Sequence, residues 1–129
     1  MKEGADDGVT VLVVDDEPQI VWVLRFSLEA EGYRTVSAAD GALALQEIAQ
    51  HRPRLVLLDL MMPNVDGWHV LEELAKLPAD ERPRIVVVSA LTNLRERAKV
   101  TELGADAFVA KPFDVDELLG VVSGLEPVG

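Results

Sequence analysis

Five side chains able to do chemistry close the apolar runs of this 129-residue sequence. Asp15 and Asp16 end "VTVLVVDD", Asp59 ends "RLVLLD", Ser89 lies near the end of "RIVVVSA", and Lys111 ends "AFVAK". Taken singly, each has an ordinary use: an Asp after a strand is a common turn former or helix cap, and Asp16, before Glu17 and Pro18, would cap well. Gathered in one cleft they need another explanation, because three carboxylates repel one another by roughly a few kcal/mol at an intermediate dielectric and lose hydration besides. A hard divalent cation resolves the conflict, since Mg2+ accepts one or two carboxylates, a carbonyl and waters around an octahedron. With a free carboxylate, a hydroxyl and an ammonium beside such an ion, phosphoryl transfer is the chemistry that fits best. The carboxylate attacks in line, the cations take up developing charge, and the hydroxyl bonds a phosphoryl oxygen.

Whether these groups meet depends on the elements that carry them. Short β-branched runs at 9–16, 34–39, 54–59, 84–90 and 107–111 alternate with longer stretches of helical spacing. The first helical stretch, Pro18 to Glu31, has Pro at its opening and Gly32 past its end, with Ile20, Val23, Leu24 and Leu28 on one face. The second runs from about Gly41 to His51 behind Asp40 as N-cap, with Leu43, Ala44, Leu45 and Ile48 as its apolar side. The third spans Trp68 to about Leu77, the fourth Asn93 to Leu103, and the fifth follows Asp114 and Glu117, whose spacing resembles a capping box. Such alternation predicts an α/β fold with a parallel five-stranded sheet, helices on both faces, and ligands beyond the carboxyl ends of the strands. All five reactive side chains would lie at that edge.

Composition narrows the classes. The apolar content of 49% supports one core, and 23 acids against 12 bases give a net charge of −11, which opposes direct binding to nucleic acid. There is no cysteine, hence no disulfide framework or thiol nucleophile, and no apolar run of the length a membrane span requires. The opening "MKEGADDGVT" lacks the apolar region of a secretory signal, so a cytoplasmic location is expected. No GxxxxGK[ST], GxGxxG or GxSxG occurs, and His51 and His69 both fall on predicted helices away from the edge. Met61 and Met62 read most simply as loop packing, Trp22 and Trp68 as partial core or surface packing, and "RERAK" as a solvated helix face.

Together, "VLVVDDEP", "LVLLDLMMPNVDG", "VVVSA" and "FVAKPF" resemble the receiver domain of two-component response regulators, over about residues 9 to 124. The resemblance implies a flavodoxin-like (βα)5 three-layer sandwich with strand order 2-1-3-4-5, a topology for which the receiver fold is itself a standard example. It implies a receiver domain over 9–125, with a flexible N-terminal segment at 1–8 and a tail or the start of a linker at 126–129. It makes Asp59 the phosphoacceptor, with Asp16, Asp59 and the main-chain carbonyl of Met61 on Mg2+ (or Mn2+) and Asp15 acting mainly through water. Ser89 would bond the phosphoryl group, and Lys111 would pair with Asp59 at rest and with the phosphate afterwards. Phe108 takes the aromatic switch position, Ala90 leaves the phosphate room, and a cis bond is expected between Lys111 and Pro112. No organic cofactor is implied.

The implied function is a phosphorylation-activated switch rather than a turnover enzyme, acting through the fourth helix, fifth strand and fifth helix. Its implied partners are a sensor histidine kinase or histidine phosphotransfer protein and a downstream protein or fused output domain, with the chain a monomer or a phosphorylation-linked homodimer. The apolar Met61 and Leu91, two residues past Asp59 and Ser89, would hinder an attacking water and lengthen the life of the phosphoryl state. Two rivals stay open: a haloacid-dehalogenase-like phosphatase, which would need an acid where Met61 stands, and a flavin-binding flavodoxin-like module, whose phosphate loop would fall on the acidic "DDEPQ".

Overall fold

The apolar runs form strands because each is β-branched and can be covered on both sides, and the stretches between them form the covering helices. The computed structural model describes residues 10–62, 66–90 and 93–125. Its elements follow in the order β1 (Thr10–Val14), α1 (Pro18–Ala30), β2 (Arg34–Ala38), α2 (Gly41–His51), β3 (Leu55–Leu58), α3 (Gly67–Ala75), a 3-10 turn (Ala79–Glu81), β4 (Arg84–Ser89), α4 (Leu94–Glu102), β5 (Ala107–Ala110) and α5 (Val115–Leu125). The sheet is parallel with order β2-β1-β3-β4-β5, as expected. Segments 1–8 and 126–129, and Leu91, lie outside the described residues.

Alternation along the strands sorts the core into two layers. Leu12, Val14, Val56, Leu58, Ile85 and Val87 pack under α2, α3 and Val100 of α4. Val11, Val13, Leu55, Leu57, Val86, Val88 and Val109 pack under Leu24 and Leu28 of α1 and Leu118 and Val122 of α5. Burial on both faces explains why β1, β3 and β4 read as unbroken apolar runs while β2, at the sheet's edge, keeps Thr35 and Ser37.

Four helix starts carry side-chain caps; α1 does not, because its N-cap position falls on Glu17 rather than Asp16 and it opens on Pro18 instead. Asp40 accepts from the Leu43 amide (2.9 Å), Asp66 from that of His69 (3.1 Å), Asn93 from those of Arg95 and Glu96, and Asp114 from that of Glu117 (3.1 Å). Gly32 takes the left-handed conformation (φ 98°) that ends α1. One position departs from the apolar stripes read in the sequence. Leu43 is 44% exposed, because Ala44, one position on, occupies the buried line of α2. Trp22 is 64% exposed and stacks on Phe26, itself 61% exposed, with ring centroids 5.1 Å apart and 8° between planes.

Candidate functional site

Register brings the reactive side chains level. Val14 pairs with Leu58, so the next residues, Asp15 and Asp59, leave neighbouring strands side by side. The ladders run one bond beyond the strands and hold these residues in place. Asp15 N–H donates to the Ala38 carbonyl (3.2 Å), Asp59 N–H to that of Val14 (3.0 Å), and Lys111 N–H to that of Ser89 (2.9 Å). Sequence-distant groups are thereby fixed by backbone hydrogen bonds rather than by flexible loops.

One carboxylate oxygen each from Asp15, Asp16 and Asp59 lies within 4.8 Å of the others. At an effective dielectric of about 20, each such pair repels by roughly 3 kcal/mol when both are ionised. Asp15 and Asp59 are 2% and 5% exposed, whereas Asp16 faces solvent. Lys111 answers part of this charge: its Nζ donates to Asp15 Oδ2 at 2.7 Å and stands 3.4 Å from both Asp59 Oδ2 and Glu17 Oε1. Backbone amides answer a little more, with Glu17 N–H donating to Asp15 Oδ1 (2.9 Å) and Met61 N–H to Asp59 Oδ1 (3.1 Å).

The ionisation of the pair follows from that geometry. Burial pushes the Asp59 carboxyl above its ordinary value, and the nearby Asp15 charge adds to the effect; the Met61 amide and Lys111 pull the other way without prevailing. For Lys111, burial alone would lower the pKa, but the hydrogen bond to Asp15 and the charges of Asp59 and Asp15 together hold it above the ordinary lysine value. Lys111 donates its shorter bond to Asp15, so Asp59 is left the less compensated acid.

Ser89 completes the edge. Its Oγ is fully buried and has no hydrogen-bond partner among the described residues, a costly state for a hydroxyl in a finished core and an intelligible one for a group awaiting an acceptor. Three hard oxygen donors with one carboxylate open to solvent suit a divalent cation that keeps its waters. Met61 is 62% exposed at the rim, while Met62 is buried against the core, which accords with loop packing for the latter. The peptide bond between Lys111 and Pro112 is cis, as expected.

The structure therefore brings together Asp15, Asp16, Asp59, Ser89 and Lys111. Phe108 sits in β5 opposite Val87, partly buried and packed on the cluster under α4. His51 stands at the C-terminal end of α2, whereas His69, expected away from the edge, lies in the first turn of α3, two residues past Gly67. Two contributors went unread in the sequence. Glu17 is a third carboxylate near Lys111, signalled only by its place in "DDEP". Gly67 presses so closely on the Asp59 turn that an added Cβ would stand 2.3 Å from the Asp59 carbonyl oxygen and 2.6 Å from Leu60 Cα. Its signal is a Gly directly after Asp66, and nothing local to that pair shows the close approach. A groove of about 520 Å³ leads from Asp15 and Asp16 along α1, past the stacked Trp22 and Phe26.

Comparison with known proteins agrees with this arrangement. A family model described as "Response regulator receiver domain" matches residues 11–123. The chain is 43% identical over 110 residues to the transcriptional regulatory protein KdpE of Mycobacterium tuberculosis, covering 84% of this chain and 47% of that protein. It thus spans about half the length of the first curated relatives it matches. It is 37% identical over 118 residues to sporulation initiation phosphotransferase F of Bacillus subtilis, covering 92% of this chain and 94% of that one. Among solved structures, the response regulator TrrA of Thermotoga maritima, in complex with Mg2+ and beryllofluoride, matches with TM-score 0.80 and 35% identity over 91% of this chain and 98% of its own. A Francisella response regulator receiver domain matches with TM-score 0.84 and 31% identity over 92% and 96%. With a match to the family model over nearly all of its length, and with acids, hydroxyl and lysine on one sheet edge, the chain belongs to the receiver domains of two-component response regulators.

Proposed function

We propose that the domain is a switch whose Asp59 accepts a phosphoryl group from a phosphohistidine on a sensor kinase or phosphotransfer protein. The observation that carries this reading is the meeting of Asp59 with Asp15, Asp16, Lys111 and an unpartnered buried Ser89 hydroxyl at the carboxyl edge of the sheet. Asp16, Asp59 and the Met61 carbonyl would hold Mg2+ directly, with Asp15 acting through water. When bound, that ion offsets carboxylate charge and neutralises charge developing on the phosphoryl oxygens.

An oxygen of Asp59 attacks the phosphorus in line. The P–N bond breaks, its electron pair stays on the imidazole nitrogen, and an acyl phosphate forms on Asp59. Lys111, already 3.4 Å from Asp59 Oδ2, shifts its ammonium from Asp15 toward the new phosphoryl oxygens. Ser89 Oγ–H turns inward to donate to another, which gives the orphaned hydroxyl its partner. Phe108 then follows toward the space left behind, and the surface of α4, β5 and α5 changes its preference among partners. The groove beside Trp22 and Phe26 gives a donor protein apolar surface next to the acceptor.

The output, whether a downstream protein or a fused domain, works from the cytoplasm in this reading. No helix among the described residues is long and apolar enough to cross a membrane. Amide chemical shifts recorded before and after adding Mg2+ and acetyl phosphate test the switch. The expected result is change at 93–122 as well as at the site; change confined to the site would contradict the propagated step.

A further inference from the structure

The fourth helix is weakly attached. Of Leu94–Glu102 only Val100 is buried; Leu94 is 78% exposed, and Ala98 and the charged or polar side chains of the helix also face solvent. Two cation–π contacts supplement that single apolar anchor. The Arg97 guanidinium lies 4.3 Å from the centroid of the Phe108 ring, and Lys99 Nζ lies 5.8 Å from that of Trp68 on α3. Among the described residues no carboxylate stands within salt-bridge distance of Arg97, so its charge has the ring as its neighbour.

The ring matters because of where it sits. Phe108 pairs with Val87, and Ser89, two residues along the same strand, points to the same side of the sheet. Ring and hydroxyl therefore share the layer under α4. In this structure Lys111 lies on Asp15, and the contact between Arg97 and Phe108 accompanies that arrangement.

We infer that Arg97 is a positioning residue that holds the Phe108 ring in its resting place through cation–π contact, and so opposes the phosphorylated state of Asp59. The inference rests on the switch reading given above. Arg97 touches no reacting atom; it acts through Phe108. Each inward move of the ring must give up the guanidinium, a contact that at a partly exposed site is worth roughly two- to fivefold in an equilibrium. Lys99 holds α4 to a different neighbour and has no such linkage to the ring.

The test is the affinity of the full chain for beryllofluoride with Mg2+, together with the fluorine resonance of Phe108 in protein carrying 4-fluorophenylalanine. Arg97→Met should bind beryllofluoride about two- to fivefold more tightly than the wild type. Its Phe108 resonance before ligand should already lie partway toward the bound position. Arg97→Lys should restore most of the wild-type affinity, and Lys99→Met should leave it unchanged. Unaltered or weaker binding by Arg97→Met, or an equal gain from Lys99→Met, would overturn the inference while leaving the phosphoacceptor reading intact. Failure of the wild type itself to bind beryllofluoride would overturn that reading and the inference with it.

Discussion

At the scale of single residues, Asp59 is held in a state that costs the fold something. It is buried, its carboxyl is pushed upward by desolvation, and its lysine neighbour gives the shorter bond to Asp15. A raised carboxylate pKa means that the folded chain binds the proton more tightly than the unfolded chain. Stability contributed by this group therefore falls as pH rises from about the ordinary carboxylate value through the raised one. Near neutral pH without Mg2+, Asp59→Asn should melt at a higher temperature than the wild type, and the gain should vanish in acid once Asp59 is protonated. Thermal melts across that pH range check this; a variant that melts lower at neutral pH would show that the ionised Asp59 stabilises the fold. The residue scale is also where the sequence was most readable. Asp15, Asp16, Asp59, Ser89 and Lys111 were each legible as chemistry-bearing types at run ends. The preference of Lys111 for Asp15 over Asp59 was not, because two acids one strand apart differ only in distances that side-chain packing decides.

At the scale of elements, the site depends on backbone that comes very close to backbone. The chain leaves β3 through Asp59 and Leu60 and returns into α3 at Gly67, whose N–H donates to the Leu60 carbonyl at 3.2 Å. A methyl group at Gly67 would fall on the Asp59 carbonyl and Leu60 Cα, and neither is a flexible side-chain end that can swing away. Gly67→Ala should therefore destabilise the domain by about 1–3 kcal/mol, as overpacking does, and should slow Mg2+-dependent phosphorylation by displacing the Asp59 turn. Urea unfolding and a phosphorylation time course check both effects; a variant of wild-type stability would refute the close approach. Strand and helix order, the caps at Asp40 and Asp114, and the Gly32 stop were legible because period and capping chemistry are local. The role of Gly67 was not legible, since its close neighbour lies eight residues back and emerges only when β3 and α3 pack. The stacking of Trp22 on Phe26 was not legible for a similar reason: a helix pattern shows which side is apolar, but which aromatic stays uncovered depends on how the neighbouring elements pack.

At the scale of the whole molecule, a parallel sheet with two apolar layers serves as a rigid frame that carries its chemistry on one edge and its loosely held helix on another face. The net charge of −11 contributes to repulsion at the acidic edge and favours cations there over phosphate-bearing ligands that arrive without one. The frame explains why the acids can be held together before any ion binds, and in the proposed switch β4 and β5 offer the route from Asp59 to α4. The most direct test of the central claim is peptide mass spectrometry after brief incubation of the full chain with Mg2+ and acetyl phosphate. The expected result is a single phosphoryl group on the peptide containing Asp59, absent when Mg2+ is chelated and absent from Asp59→Asn. A phosphoryl group on another residue, or none at all on folded wild-type protein, would contradict the claim that Asp59 is the phosphoacceptor.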